Sequence, residues 1–590
     1  MSSSPARNRV QDRKGTLRRL LRYFRPYRWR LLGVCAFIVA MGGFEFLPPV
    51  MIGKIIDNAI GQKDLPLLLL LCGVLLAMFV ARNVLGPIRH LAKWRVVSQG
   101  IHDLRTRLHR HIQRLHMSWF HDTRSGDVAS RTVDDVSRIE SALGNIIEHV
   151  PYAASMLVGV LVAMLWLHWQ LALAAMIPVP AMIWLVRRMA IRTRPSYKKL
   201  SRKRARMNTF MVDNVTGMRE IKSFTQEEAF EDQFARQSWR YLLNRMKAVK
   251  YSSVYMQALR FCSELSILVV LVFGGWEVIR GELAVGAFVA FFFFVRLLQQ
   301  PIHLLNSSYE QIQPGLASAE RIFGIMDASP EVVDKPGAVV LPAPRGRVEL
   351  CDVSFGYGGP VPVLEDIHLR VEPGEHVGIV GETGSGKTTL ISLLPRFYDV
   401  DGGQVLIDGT DVRDLKQDHL RELVGYVPQD PFLFADTVRY NICFSRRRAS
   451  NREMIQAAKA ANIHETIMEM PYRYDTLVGE HGVKLSQGQR QRIIIARMLI
   501  KNPAILLLDE ATASLDNVTE QEVVAAINRL LEGRTAFVIA HRLTTVQRLD
   551  RILVLQEGRI VEEGSHDDLL AADGRYAELW HRAHQPLIQV

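Results

Sequence analysis

The sequence predicts a multidomain membrane protein: an all-α, six-helix transmembrane domain with long intracellular helical extensions, followed by an α/β domain of the P-loop type. Three observations carry this expectation. Apolar residues make up 48% of the 590 and are gathered in the first half, in runs of membrane-spanning length. Past Asp327 the pattern changes to short β-branched runs that alternate with helical stretches. Within that second half, Gly381-Glu382-Thr383-Gly384-Ser385-Gly386-Lys387-Thr388 fits G-x-x-x-x-G-K-[ST] between the apolar run Val377–Val380 and a helical segment from Thr389 to Leu394.

Residues 1–30 carry ten Lys and Arg against the single Asp12, and the apolar stretch that follows is too long for a signal peptide. The N-terminus is therefore expected in the cytoplasm. Spans are expected near 31–53, 65–86, 150–168, 171–189, 260–279 and 284–304. The connections after the first, third and fifth are short and poor in basic residues, which puts them outside. Those at about 89–148 and 190–257 are long, periodic and rich in Arg and Lys, and read as helical extensions into the cytoplasm. Such flanks account for the formal net charge of +13 without a nucleic-acid partner. The five cysteines (Cys35, Cys72, Cys262, Cys351, Cys443) form no C-x-x-C pair, so neither a disulfide scaffold nor a metal site is indicated.

Two cytoplasmic tips stand out. Met117-Ser118-Trp119-Phe120-His121-Asp122 and Asp213-Asn214-Val215-Thr216-Gly217 each set apolar or aromatic residues beside a turn signal, which suits docking better than an isolated loop. Trp119, Phe120, Asp122 and Asn214 are the candidate coupling residues. Four ionisable residues, Glu45, Arg82, Glu264 and Arg296, fall within or near apolar spans, where they suggest a substrate pathway or, alternatively, mutual pairing or snorkelling. The expected domain limits are 1–325 for the membrane domain, 326–346 for a proline-punctuated linker and 347–590 for the α/β domain. Arg551–Glu563 reads as a hairpin turning at Glu557-Gly558.

In the α/β domain, glycine N–H groups of the loop can curl around phosphates, with Lys387 reaching the β- and γ-phosphates and Thr388 holding Mg²⁺. Thr389 follows at the start of the helix. Ile505–Leu508 reads as a buried strand delivering Asp509 and Glu510 at its end; Asp509 suits Mg²⁺ and Glu510 suits polarisation of an attacking water. A second apolar strand, Ala536–Ala540, ends at His541, a candidate for γ-phosphate contact. Between them Leu485-Ser486-Gln487-Gly488-Gln489 opens a helix, Arg490–Ile500, and so offers a second anion site.

With these motifs in this order, the second half resembles the nucleotide-binding cassette of ATP-binding cassette (ABC) transporters, an α/β P-loop ATPase domain, and the chain from about residue 17 onward resembles an exporter-type half-transporter. The resemblance implies ATP and Mg²⁺ as ligands and ATP-driven export or flipping of an amphiphilic drug or lipid across the cytoplasmic membrane. The alternative is an ATP-gated channel or regulatory subunit that does not pump. It further implies that Tyr357 stacks on adenine, that Gln429 senses Mg²⁺ and the membrane domain, that Glu480 lies near the intracellular helices, and that Asp516 belongs to the loop crossing a dimer. Each ATP would lie between the phosphate loop of one cassette and the signature of the other, so the partner is a second copy, with a related half-transporter as the alternative. Two departures from the family pattern are Gln487, where Gly is usual, and Ala513-Ser514-Leu515-Asp516, where Ser-Ala-Leu-Asp is commoner. Both are expected to be tolerated because Ser486 and Gly488 remain.

Overall fold

The computed structural model describes residues 13–123, 125–359, 361–479, 482–510, 517–540 and 543–584. Two compact units emerge: Met1–Ile112 with Gly126–Asp327, and Gln113–Ser125 with Ala328–Val590.

The first unit is helical throughout its described residues. In hydrocarbon a backbone must satisfy its own hydrogen bonds, and uninterrupted apolar runs do so as helices. Among the described residues five helices are long and apolar enough to cross a membrane: Arg25–Ile60, Leu65–Ile112, Ser125–Leu167, Trp169–Met189 and Glu227–Arg280. The most apolar stretch of Leu65–Ile112 has a mean hydropathy of 2.4, and none of it is buried within the chain. Such a surface belongs in lipid or against another apolar partner.

The expected sixth span at 284–304 is not one helix. A 13-residue apolar helix, Val285–Leu297, stops at Leu298, and Gln299–Met326 takes over. Pro301 explains the break, since it lacks the N–H that would bond the Leu297 carbonyl. The fourth run is also interrupted, by a turn at 176–178 that ends on Pro178. Ahead of the first span, helix Arg13–Tyr23 is held by buried Leu20 and Phe24. Phe24 lies so close to Gly100 that a Cβ there would come within 2.0 Å of its ring, which is why glycine is needed on the facing helix.

The second unit is built on a six-stranded sheet. In chain order the strands of this unit are β1 (Val348–Phe355), β2 (Leu364–Val371), β3 (His376–Val380), β4 (Gly402–Ile407), β5 (Thr410–Asp411), β6 (Val424–Val427), β7 (Ile505–Asp509), β8 (Thr535–Ile539), β9 (Arg551–Gln556) and β10 (Arg559–Gly564). The larger sheet runs β10-β9-β3-β8-β7-β6, parallel except for the β9–β10 hairpin. That hairpin turns at Glu557-Gly558, both with positive φ. All five residues of β7 and of β8 are buried, as a sheet covered on both faces requires. A smaller antiparallel sheet, β2-β1-β4-β5, was not foreseen in the sequence. The two share an apolar core that includes Val348, Ile367, Ile379, Leu507 and Phe537.

Candidate active site

The phosphate loop leaves the C-terminal end of β3 and enters helix Lys387–Leu393. Two of its glycines are required by space and by backbone conformation. Gly386 has φ +104° and a Cβ there would sit 2.8 Å from Leu364; at Gly381 a Cβ would lie 2.2 Å from the Leu555 carbonyl oxygen. The Lys387 ammonium donates to the carbonyls of Gly381 (2.9 Å) and Glu382 (2.8 Å), which centres it in the loop. Burial holds its pKa below the ordinary lysine value, while Glu510 and Asp509 pull the other way.

The strand ends beside this loop carry the acids. The Thr388 hydroxyl and Asp509 Oδ1 are 3.5 Å apart, and Tyr426, on β6, donates to Asp509 Oδ2 at 3.1 Å. Burial pushes the Asp509 carboxyl above the usual carboxylate range, opposed by Tyr426 and reinforced by Glu510. Gln429 donates to Glu510 Oε2 at 2.6 Å. Glu510 sits in the left-handed region, φ +47°, with its N–H on the Ile539 carbonyl. An acid held in that conformation at a strand end marks a position where the surroundings override local preference.

These residues suit a nucleotide with a divalent cation. The Ser385 hydroxyl oxygen is buried in the loop with no hydrogen-bond partner among the described residues, and the Thr388 and Asp509 oxygens supply the hard donors Mg²⁺ prefers. Tyr357 is 52% exposed, and Phe355 and Tyr398 meet it edge-on at 5.0 and 5.2 Å. Its hydroxyl lies 3.1 Å from that of Thr389. Thr383 and Gly384 line the outer part of the loop in a small cavity of about 160 Å³.

The second anion site is a capped helix N-terminus. Ser486 caps helix Gln487–Lys501: its hydroxyl accepts from Gln489 N–H at 3.2 Å, and its own N–H donates to Gln489 Oε1 at 3.0 Å. Gly488 is buried, while Gln487 and Gln489 are half-buried.

Of the coupling candidates, Trp119, Phe120 and Asp122 lie in helix Met117–Asp122, where the two rings meet edge to face at 5.1 Å. This segment is grouped with the α/β unit, and His116 just before it accepts from the Glu331 N–H at 3.1 Å. Asn214 lies in the last turn of helix Val179–Thr216, near exposed Val212, Val215 and Phe224. Glu480, Asp516 and His541 lie outside the described residues. Among the charges within or near the apolar spans, Arg82 pairs with Glu45 at 3.1 Å. Glu264 and Arg296 are exposed on the isolated chain, and the Arg296 guanidinium lies 5.8 Å from the Phe292 ring centroid.

Two contributors escaped the sequence reading. Tyr426 is 83 residues from Asp509, and only the prediction that β6 and β7 are neighbours would have paired them. Arg575, in the C-terminal helix Arg575–His584, pairs with Glu382 of the loop at 2.6 Å across 193 residues, with no motif to signal it.

Such an arrangement, on a chain whose other unit holds membrane-length helices, defines a membrane-embedded P-loop ATPase. Residues 31–302 match the family model described as ABC transporter transmembrane region, and 364–513 the one described as ABC transporter. The chain is 35% identical over 575 residues to an ATP-dependent lipid A-core flippase of Syntrophus aciditrophicus, covering 98% of this chain and 96% of that protein. A putative multidrug export ATP-binding/permease protein of Bacillus subtilis is 34% identical over 574 residues, at 96% and 99% coverage. Among solved structures, a bacterial Atm1-family ABC exporter with ATP bound aligns with a TM-score of 0.82 and 31% identity, over 95% of this chain and 99% of that one. The chain belongs to the ABC transporter family: it is a multi-pass membrane protein that binds nucleotide, and an ATPase coupled to transport.

Proposed function

We propose that this chain exports or flips a hydrophobic or amphiphilic compound, a drug or a lipid, as a homodimer in the cytoplasmic membrane with both cassettes on the cytoplasmic side. The observation that carries the pumping reading is the hydrolytic pair: Glu510 stands at the strand end with Gln429 on one carboxylate oxygen, 2.6 Å away. That leaves the other oxygen to orient a water and accept its proton. Thr388, Asp509 and Gln429 would hold Mg²⁺, which when bound neutralises charge on the phosphate oxygens. Lys387 and the loop amides hold the phosphates, Tyr357 stacks on the base, and the partner copy supplies Ser486 and Gly488. His541, Asp516 and Glu480 take the roles the family resemblance gives them.

Closure of two cassettes over ATP draws the cytoplasmic hairpins together and turns the spans outward; hydrolysis resets them. The helices around Trp119 and Asn214 transmit that movement. The names of the flippase and of the multidrug permease support a lipid or drug as cargo, and Glu264 and Arg296 are the remaining candidates for a polar headgroup contact.

Reconstitution into liposomes tests this. ATP turnover should rise with particular lipids or drugs, and the same compounds should move across the bilayer only while ATP is hydrolysed. Ion conductance gated by ATP, with no compound moved, would establish the channel reading instead.

A further inference from the structure

Where helix Arg13–Tyr23 leads into the first span, a cavity of about 880 Å³ opens toward helices Leu65–Ile112 and Gln299–Met326. Arg18, Arg22, Arg25, Arg28 and Arg107 line it, and none of them forms an ion pair among the described residues. Arg19, also in the wall, is neutralised by Asp327 through two hydrogen bonds of 2.6 and 2.7 Å. The Arg107 guanidinium carbon lies 5.1 Å from the Tyr23 ring centroid, and the Tyr23 hydroxyl is buried beside that guanidinium. Like charges gathered around one cavity repel each other unless an anion joins them. Guanidinium forks match the geometry of a phosphate.

The surroundings say what carries that phosphate. Trp29, in the cavity wall, is 73% exposed; Leu32, one turn further along the first span, is 58% exposed, and Leu21 on the preceding helix 52%. An exposed tryptophan beside arginines, at the start of a membrane helix, is the signature of the headgroup level of a bilayer. We propose that this cavity binds the phosphate headgroup of an anionic phospholipid, whose acyl chains run along Trp29 and Leu32. Under the proposed topology this lipid lies in the cytoplasmic leaflet; the binding itself does not depend on that topology.

Native mass spectrometry of the full-length protein, released from micelles supplemented with phosphatidylglycerol or phosphatidylcholine, reads the retained lipid directly. The wild type should retain phosphatidylglycerol preferentially. Arg22→Gln/Arg25→Gln should cut that retention about thirtyfold, given the usual gain per basic residue at an anionic surface, and leave phosphatidylcholine unchanged. Arg107→Gln, on a different helix, should lower it as well. Arg202→Gln/Arg206→Gln, which removes exposed arginines elsewhere, should not. Wild-type retention in both cavity variants, or equal loss in the control, overturns the site. Complete displacement by millimolar inorganic phosphate would show that a free anion, not a lipid, is the occupant. If labelling places the N-terminus outside, the lipid readout stands and only the leaflet changes.

Discussion

Glu510 combines a positive φ of 47° with a hydrogen bond from Gln429, and a conformation of that kind costs about 1–3 kcal/mol in a non-glycine residue. The bond from the Glu510 N–H to the Ile539 carbonyl ties that residue to β8, and under the proposed mechanism its carboxylate activates the water. Glu510→Gln keeps the shape and the backbone strain but removes the base, so turnover should fall by at least ~100-fold while ATP binding persists. Lys387→Ala should instead weaken ATP binding itself, because it removes the cation centred among the loop carbonyls. Titration with a fluorescent ATP analogue beside steady-state turnover separates the two. Near-normal turnover in Glu510→Gln would assign the chemistry to another residue. The loop and the two acids were legible because each is written in contiguous residues that a single strand or turn delivers together. Tyr426 and Arg575 were not, because their partners are distant in sequence and only sheet order or helix docking brings them near.

Helices of the membrane unit were readable to the extent that hydropathy alone decides them. Run length and charge asymmetry mark apolar helices, yet neither property registers where a proline cuts the hydrogen-bond ladder: Pro178 interrupts the fourth run and Pro301 divides the sixth. The antiparallel sheet escaped for a related reason, since short strands with mixed burial, such as β4, carry weak alternation. Topology follows from the spans and is checked by accessibility. Cysteines placed at Lys63 or Gly281, each in a turn with positive φ between apolar segments, should react with an impermeant maleimide in intact cells, whereas Ser125→Cys should react only after lysis. Labelling of Ser125→Cys from outside would overturn the assignment of the long helical extensions to the cytoplasm.

A single chain supplies one phosphate loop, Gly381–Thr388, and one capped signature helix beginning at Gln487. Under the proposed mechanism these meet across a two-fold axis, so ATP acts as the adhesive between two copies and activity requires the dimer. Co-expression of Lys387→Ala with Ser486→Arg should restore some turnover, since mixed dimers contain one site free of both lesions. The most direct measurement is crosslinking of Ser385→Cys in one tagged copy to Gln487→Cys in a differently tagged copy, in an active background without the five native cysteines, with and without ATP in the Glu510→Gln form. The account predicts a disulfide between differently tagged chains that forms with ATP and is scarce without it. Crosslinking confined to one chain, or absent between chains although mixed dimers are purified and bind ATP, would contradict it.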